Sequence, residues 1–219
     1  MKKVGVILAG SGFLDGAEIR EAVLTLLALD KANVESVIMA PDMDQYHVVN
    51  HLDGELTNEK RNILVEAARI ARGNIQNINE VNPDTLDALI MPGGFGVAKN
   101  LSNFAFQGSK GVMCADVKDF VEKIYHSKKP IGAICIAPAV LSLLFGKDGV
   151  KVTVGNDPGT ITAIEELGTK HEVCSVDGIC VDQNLKVVST PAYMYGDAKT
   201  HEVYEGIEKC VNTVLEMIS

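Results

Sequence analysis

The sequence predicts an α/β fold on a mostly parallel sheet, and two observations carry that prediction. Short Val/Ile/Leu runs alternate along the chain with longer segments of helical period. The runs are also continuous rather than alternating apolar and polar, as strands covered by helices on both faces require. In chain order, Val4–Ala9 reads as the first strand and Asp15–Asp30 as the helix returning over it, followed by a strand at Val34–Met39. His47–Leu56 breaks the pattern as a small hairpin around Asp53-Gly54. A helix follows at Glu59–Arg72, then a strand at Ala88–Met91 that runs into Pro92-Gly93-Gly94. Ala115–His126, Pro130–Ile134 and Ala137–Leu144 read as helix, strand and helix, and Val150–Val154 as another strand before a helix at Ile161–Leu167. His171–Leu185 is a second antiparallel excursion, with turns at Asp177-Gly178 and Asp182 to Asn184. Leu185–Ser189 supplies the last strand and Thr200–Ile218 the last helix.

Composition bounds the function. The chain has 219 residues, 47% of them hydrophobic and 22% charged, enough to bury one sizeable core, and no linker, repeat or low-complexity tract divides it. Residues 1–219 are therefore expected to form one domain. A formal net charge of -9 leaves no basic footprint for a nucleic acid backbone. The apolar run Val4–Ala9 is too short for a signal-peptide core or a membrane span, so a cytoplasmic protein without a membrane partner is expected. The five cysteines, 114, 135, 174, 180 and 210, are scattered without a C-x-x-C pair, which suits reduced thiols rather than disulfides or structural zinc.

In open α/β sheets ligands bind beyond the carboxyl ends of strands, which directs attention to Cys135. It stands where Ile131-Gly132-Ala133-Ile134 passes into Ile136-Ala137-Pro138, with small residues two positions away on either side. A nucleophile on a sharp strand-to-helix turn crowds its neighbours, which explains Ala133 and Ala137. Pro138 fits the first helical turn, where a missing N–H loses nothing. Free amides at that helix start would favour a thiolate, and cysteines so placed can have pKa values of roughly 3.5–7.5. The alternative is a small buried hydrophobe, the commonest fate of a free cysteine. Cys114, which opens a helix, is a second candidate, while Cys174, Cys180 and Cys210 read as packing.

The loop Pro92-Gly93-Gly94-Phe95-Gly96 also leaves a strand, and its glycines let backbone N–H groups approach a ligand. The amides of Gly94 and Ile136 are the expected donors to an oxyanion beside Cys135; a ligand-free tight turn is the competing reading. Gly10-Ser11-Gly12 begins a dinucleotide fingerprint, but its third glycine would fall at Asp15, so no such cofactor is expected. Asp15 and Glu18 have the spacing of a capping box. Glu18 also stands at a strand's carboxyl end and can face the crevice of Cys135. There the two would share a proton, with Glu18 acting as acid and base.

Taken together, the Pro92-Gly93-Gly94-Phe95-Gly96 loop, the Ala133 to Pro138 elbow and the early Glu18 resemble the class I glutamine-amidotransferase-like superfamily, ThiJ/PfpI branch, and within it the ElbB type. The resemblance spans essentially the whole chain, including Gly10-Ser11-Gly12 and Gly155-Asn156-Asp157-Pro158-Gly159-Thr160. It implies a flavodoxin-like, doubly wound, mostly parallel sheet with helices on both faces, the elbow cysteine as nucleophile and a nearby glutamate matched by Glu18. It also implies homodimers and cofactor-free, metal-free glyoxalase activity. In that activity Cys135 adds to a small dicarbonyl as a hemithioacetal, Glu18 moves a proton between the carbons, and water releases glycolate from glyoxal. Protease-like members carry His after the cysteine, where this chain has Ile136, and amidotransferases carry a late His-Pro-Glu, where it reads Thr190-Pro191-Ala192-Tyr193. Of the five histidines none has triad spacing, and His201 is the nearest to a candidate partner. A non-catalytic redox-sensing or binding protein of the same fold is the alternative, and a glutamine amidotransferase a more distant one.

Overall fold

The computed structural model describes residues 1–218. In chain order the elements are β1 (Lys3–Ile7), α1 (Ile19–Lys31), β2 (Glu35–Ala40), α2 (Ile63–Ile70), β3 (Gln76–Asn77) and β4 (Ala88–Met91). Then come α3 (Phe95–Lys99), α4 (Phe104–Gln107), α5 (Ala115–His126), β5 (Ile131–Ile134), α6 (Ala137–Phe145) and β6 (Lys151–Val152). The chain closes with α7 (Pro158–Glu165), β7 (Lys170–His171), β8 (Cys180–Asp182), β9 (Val187–Thr190) and α8 (Thr200–Glu216). Seven strands form one sheet in the order β3-β2-β1-β4-β5-β9-β8, every pairing parallel except β8 with β9. This is the flavodoxin-like, doubly wound α/β architecture, with helices on both faces.

The continuous apolar runs work because successive side chains leave a strand on opposite faces. Leu89 and Met91 of β4 join one cluster with Val117, Val121 and Val140 from α5 and α6. Ala88 and Ile90 of the same strand join the other, with Ala22, Leu29, Ile207 and Val211 from α1 and α8. β4 is thus apolar at every position because both its faces are interior. The register Leu89↔Ile131, Ile90↔Gly132 and Met91↔Ala133 aligns the carboxyl ends of β4 and β5, so the loops after them emerge side by side.

Three expectations need correction. Val150–Val154 was expected in the main sheet, yet only Lys151–Val152 is strand, and it pairs with β7 in a separate two-stranded sheet. Its amides find side chains where ladder partners would stand: Lys151 N–H donates to the Asp182 carboxylate at 2.9 Å and Thr153 N–H to Ser189 Oγ at 2.9 Å. Val150, Val152 and Val154 are fully buried, so the apolar run signalled burial rather than pairing. Second, α1 begins at Ile19 rather than Asp15, because Glu18 is itself the cap, accepting the Glu21 N–H at 2.6 Å. Asp15 instead anchors the hairpin, its Oδ2 accepting the Val49 N–H at 2.7 Å. Third, β3 is absent from the expectation, since two polar residues carry no periodic signal.

Leu89 is fully buried at the centre of β4. Leu89→Ala leaves a cavity and is expected to lower unfolding free energy by roughly 2–5 kcal/mol, measured by denaturant titration.

Candidate active site

β5 ends at Ile134 and α6 begins at Ala137, so two residues turn the chain from strand to helix. Cys135 takes this turn at φ 61°, left-handed backbone that costs a non-glycine residue roughly 1–3 kcal/mol. Its own N–H still donates to Thr190 O at 3.0 Å, which ties the strained residue to the last parallel strand. The neighbouring loop explains why its glycines are required. A Cβ on Gly93 would stand 2.5 Å from the Cys135 Cβ and 2.8 Å from Glu21 Oε2. Gly94 has φ 101°, and a Cβ there would meet the backbone N of Glu18 at 2.3 Å. The glycine loop is thus pressed between the elbow and the start of α1, with Glu18 N–H donating to Gly93 O at 2.8 Å and Gly96 N–H to Gly16 O at 2.9 Å.

The carboxyl that meets the thiol is Glu21, not Glu18. Glu21 is fully buried and its carboxyl stands beside the Cys135 side chain, the two flanking the same point at Gly93. Its Oε2 accepts the Gly93 N–H at 2.9 Å and its Oε1 the Tyr193 N–H at 3.2 Å. Because the helix starts at Ile19, the cap position turns Glu18 back along the first turn while Glu21 faces the sheet. The sequence did carry a signal for this: Glu21 lies on the buried stripe of α1 with Ala22, Thr25 and Leu29, where a carboxylate is out of place. Glu18 is half-buried and lines the cleft above Cys135, its carboxyl pushed above the ordinary range by burial.

Burial raises Glu21 to about 8, and the neighbouring Glu18 adds to the rise. Cys135, 8% exposed, is raised well above an ordinary thiol, first by burial and then by Glu21, while the amides of Gly94 and Ile136 pull it down. The thiolate expected from the helix start is therefore corrected. Desolvation outweighs the two amides, and a free proton site on Glu21 competes for the charge. Both groups are therefore biased towards their neutral forms, and one ionisation creates an anion held by the amides at either end.

The cleft has a volume of about 370 Å³ and is walled by Phe13, Phe95, Tyr193 and Met194, with Asp157 and Thr160 also in its lining. Those last two were not singled out as site residues. They arrive because Asp157 caps α7, accepting the Thr160 N–H at 2.7 Å. His201 is exposed on α8 and is not among the residues lining the cleft. His51 instead lines an adjoining cleft, 3.7 Å from the buried Asp15. Cys114 caps α5 away from this cleft, its thiol raised by burial, and Cys174, Cys180 and Cys210 are buried.

A parallel sheet with a strained cysteine at the central elbow, a buried glutamate and a glycine loop defines an amidotransferase-like α/β protein. Residues 3–195 match the sequence model of the DJ-1/PfpI family, and the chain belongs to that family. It is 42% identical to the ES1 protein homolog, mitochondrial, of Rattus norvegicus over 98% of this chain and 84% of that protein. It is 41% identical to the human glutamine amidotransferase-like class 1 domain-containing protein 3, mitochondrial, over 98% of this chain and 83% of that one. An isoprenoid biosynthesis protein with an amidotransferase-like domain from Ehrlichia chaffeensis superposes with a TM-score of 0.93 at 40% identity, covering 100% of both chains. Glyoxalase III from Candida albicans shares the fold, with a TM-score of 0.64 at 15% identity over 100% of this chain and 98% of that one. The cytoplasmic placement expected from the sequence is overturned by the curated relatives, whose names place them in mitochondria. Composition separates soluble chains from membrane chains but carries no address.

Two predictions follow from the geometry of the pair. A carboxyl raised on folding from about 4.5 to about 8 leaves stability intact below pH 4.5 and withdraws it as pH climbs to about 8, by a few kcal/mol in order of magnitude. Glu21→Gln cannot titrate, so its stability relative to the parent protein is expected to rise between pH 5 and pH 8 in denaturant titrations. Gly93→Ala forces its methyl into Cys135 and Glu21. A loss of roughly 1–3 kcal/mol in thermal or chemical unfolding is expected, with a changed rate of Cys135 alkylation by iodoacetamide.

Proposed function

We propose that this protein is a cofactor-independent glyoxalase that converts glyoxal and small 2-oxoaldehydes to 2-hydroxy acids, with Cys135 as nucleophile and Glu21 as proton shuttle. The observation that carries the reading is the placement of the elbow thiol beside a fully buried carboxyl, which burial raises to about 8. A group poised near the working pH can both accept and return a proton. In the first step the pair, having already released one proton to solvent, holds a single proton; the sulfur bonds to an aldehyde carbon and the carbonyl electron pair moves to oxygen, which takes up that remaining proton. Glu21, now a carboxylate, removes the hydrogen from that carbon to give an enediolate and returns it to the adjacent carbon, leaving a thioester of the hydroxy acid. Water then cleaves the thioester, releasing glycolate from glyoxal and restoring the thiol.

The amides of Gly94 and Ile136, which already lie against the sulfur, support the oxyanion formed beside it. Glu18 faces the same cleft and is suited to hold the substrate hydroxyl rather than to move the proton. The mostly apolar wall suits a small uncharged dicarbonyl and limits water near the enediolate. The names of the mitochondrial relatives support that setting for the activity.

Glycolate formation from glyoxal tests the reading. Cys135→Ala is expected to abolish it, and Glu21→Gln to reduce kcat by roughly 10²–10⁴-fold, with a smaller loss for Glu18→Gln. For the parent protein kcat/KM is expected to rise with pH through about 8, as the pair drops to one proton, and this limb is expected to vanish in Glu21→Gln. Equal rates for the parent protein and Cys135→Ala would end the proposal.

A further inference from the structure

The cleft above Cys135 does not end at the reacting pair. A second cleft of about 470 Å³ adjoins it, and the two share Phe13, Glu18 and Tyr193 as common walls. Together they offer far more room than glyoxal fills, and each alone is within the size range of sites that take whole metabolite- or drug-sized ligands. The second cleft also holds a cation, Arg20, next in sequence to the Glu21 that touches the thiol.

Tyr193 connects the two. Its backbone N–H holds Glu21 Oε1 at 3.2 Å, while its phenol oxygen accepts Arg20 Nη1 at 3.2 Å and its ring lies 5.8 Å under the guanidinium. One residue thus positions the proton shuttle at one end and the cation at the other, separated by the length of a tyrosine side chain. Among the described residues no carboxylate comes within ion-pair distance of Arg20; Glu18 attracts it from the shared wall without bonding it, so most of its five donors remain free for a planar anion. His51 forms the opposite wall, edge-on to Phe13 with ring centroids 5.4 Å apart. Its ring nitrogens are engaged by the Leu14 N–H and the Val49 carbonyl.

Building on the glyoxalase reading, we propose that the second cleft is a tail subsite and that the substrate class is a 2-oxoaldehyde with a carboxylate a few carbons from the dicarbonyl. Arg20 is its specificity-determining residue. The aldehyde carbon meets Cys135, the tail passes between Phe13 and Tyr193, and the carboxylate forks onto Arg20. The chemistry is unchanged: R–CO–CHO plus water gives R–CHOH–COOH, the hydrogen on the aldehyde carbon moving to its neighbour and water supplying the acid oxygen. A carboxylate is favoured over a phosphate because the cleft supplies one arginine and shares its wall with Glu18, which disfavours a dianion.

The experiment compares 4,5-dioxopentanoate with methylglyoxal. The parent protein is expected to show a kcat/KM at least tenfold higher for the carboxylated substrate, and in Arg20→Met, which keeps the stem without the charge, that ratio is expected to fall towards one. A ratio near one in the parent protein, or a high ratio that survives Arg20→Met, would overturn the subsite. Protection of Cys135 from iodoacetamide provides a readout that needs no turnover. The unreactive 4-oxopentanoate is expected to protect the parent protein better than butanone does, and to lose that advantage in Arg20→Met. If no 2-oxoaldehyde is turned over but this protection pattern holds, the glyoxalase reading fails and the carboxylate subsite stands. Absence of protection by 4-oxopentanoate, or stronger protection by dihydroxyacetone phosphate, rejects the subsite.

Discussion

Burying two ionisable side chains against each other is the constraint from which the rest of the centre follows. Glu21 is fully buried and Cys135 nearly so, so water solvates either charge poorly, and an uncompensated buried anion would cost far more than one hydrogen bond returns. The structure meets that cost in two ways. Both groups are raised so that they rest neutral, and amides stand ready for the single charge: Gly94 and Ile136 at the sulfur, Gly93 and Tyr193 at the carboxyl. Those amides come from three separate segments, each following a parallel strand, so the pair depends on the topology of the whole sheet.

The doubly wound sheet supplies this convergence because adjacent parallel strands end on the same side. β4 delivers the glycine loop, β5 the elbow and β9 the turn carrying Tyr193, in neighbouring positions of one sheet. The loop after β1 and helix α1 then close over them, and the absence of side chains at Gly93, Gly94 and Gly96 lets α1 approach closely enough for Glu21 to reach the thiol. The left-handed backbone of Cys135 is the strain this packing sustains, and it turns the thiol to the foot of the cleft.

How much could be read without coordinates varied with the kind of signal. Ala88–Met91 and Ala115–His126 were legible to the residue, because one is a fully buried strand entering a glycine turn and the other an amphipathic helix. Cys135 was legible from its small neighbours and Pro138. Val150–Val154 looked like another parallel strand because burial and pairing leave the same apolar mark, and only the positions of Asp182 and Ser189 separate them. Glu18 was singled out and Glu21 passed unnoticed, because a shift of helix start by a few residues decides which carboxylate faces inward.

The sequence by itself therefore specified the α/β class, the cysteine at the strand-to-helix elbow and the glycine loop. Each of these is written in local patterns: apolar period, small residues around a turn, glycine where backbone must approach. Tertiary structure alone decided which glutamate is the partner, that the thiol is held up by burial rather than drawn down by its helix, and that Arg20 and Tyr193 extend the cleft. These depend on contacts between residues 72 and 173 positions apart, Gly93 with Glu21 and Arg20 with Tyr193, which no local pattern encodes.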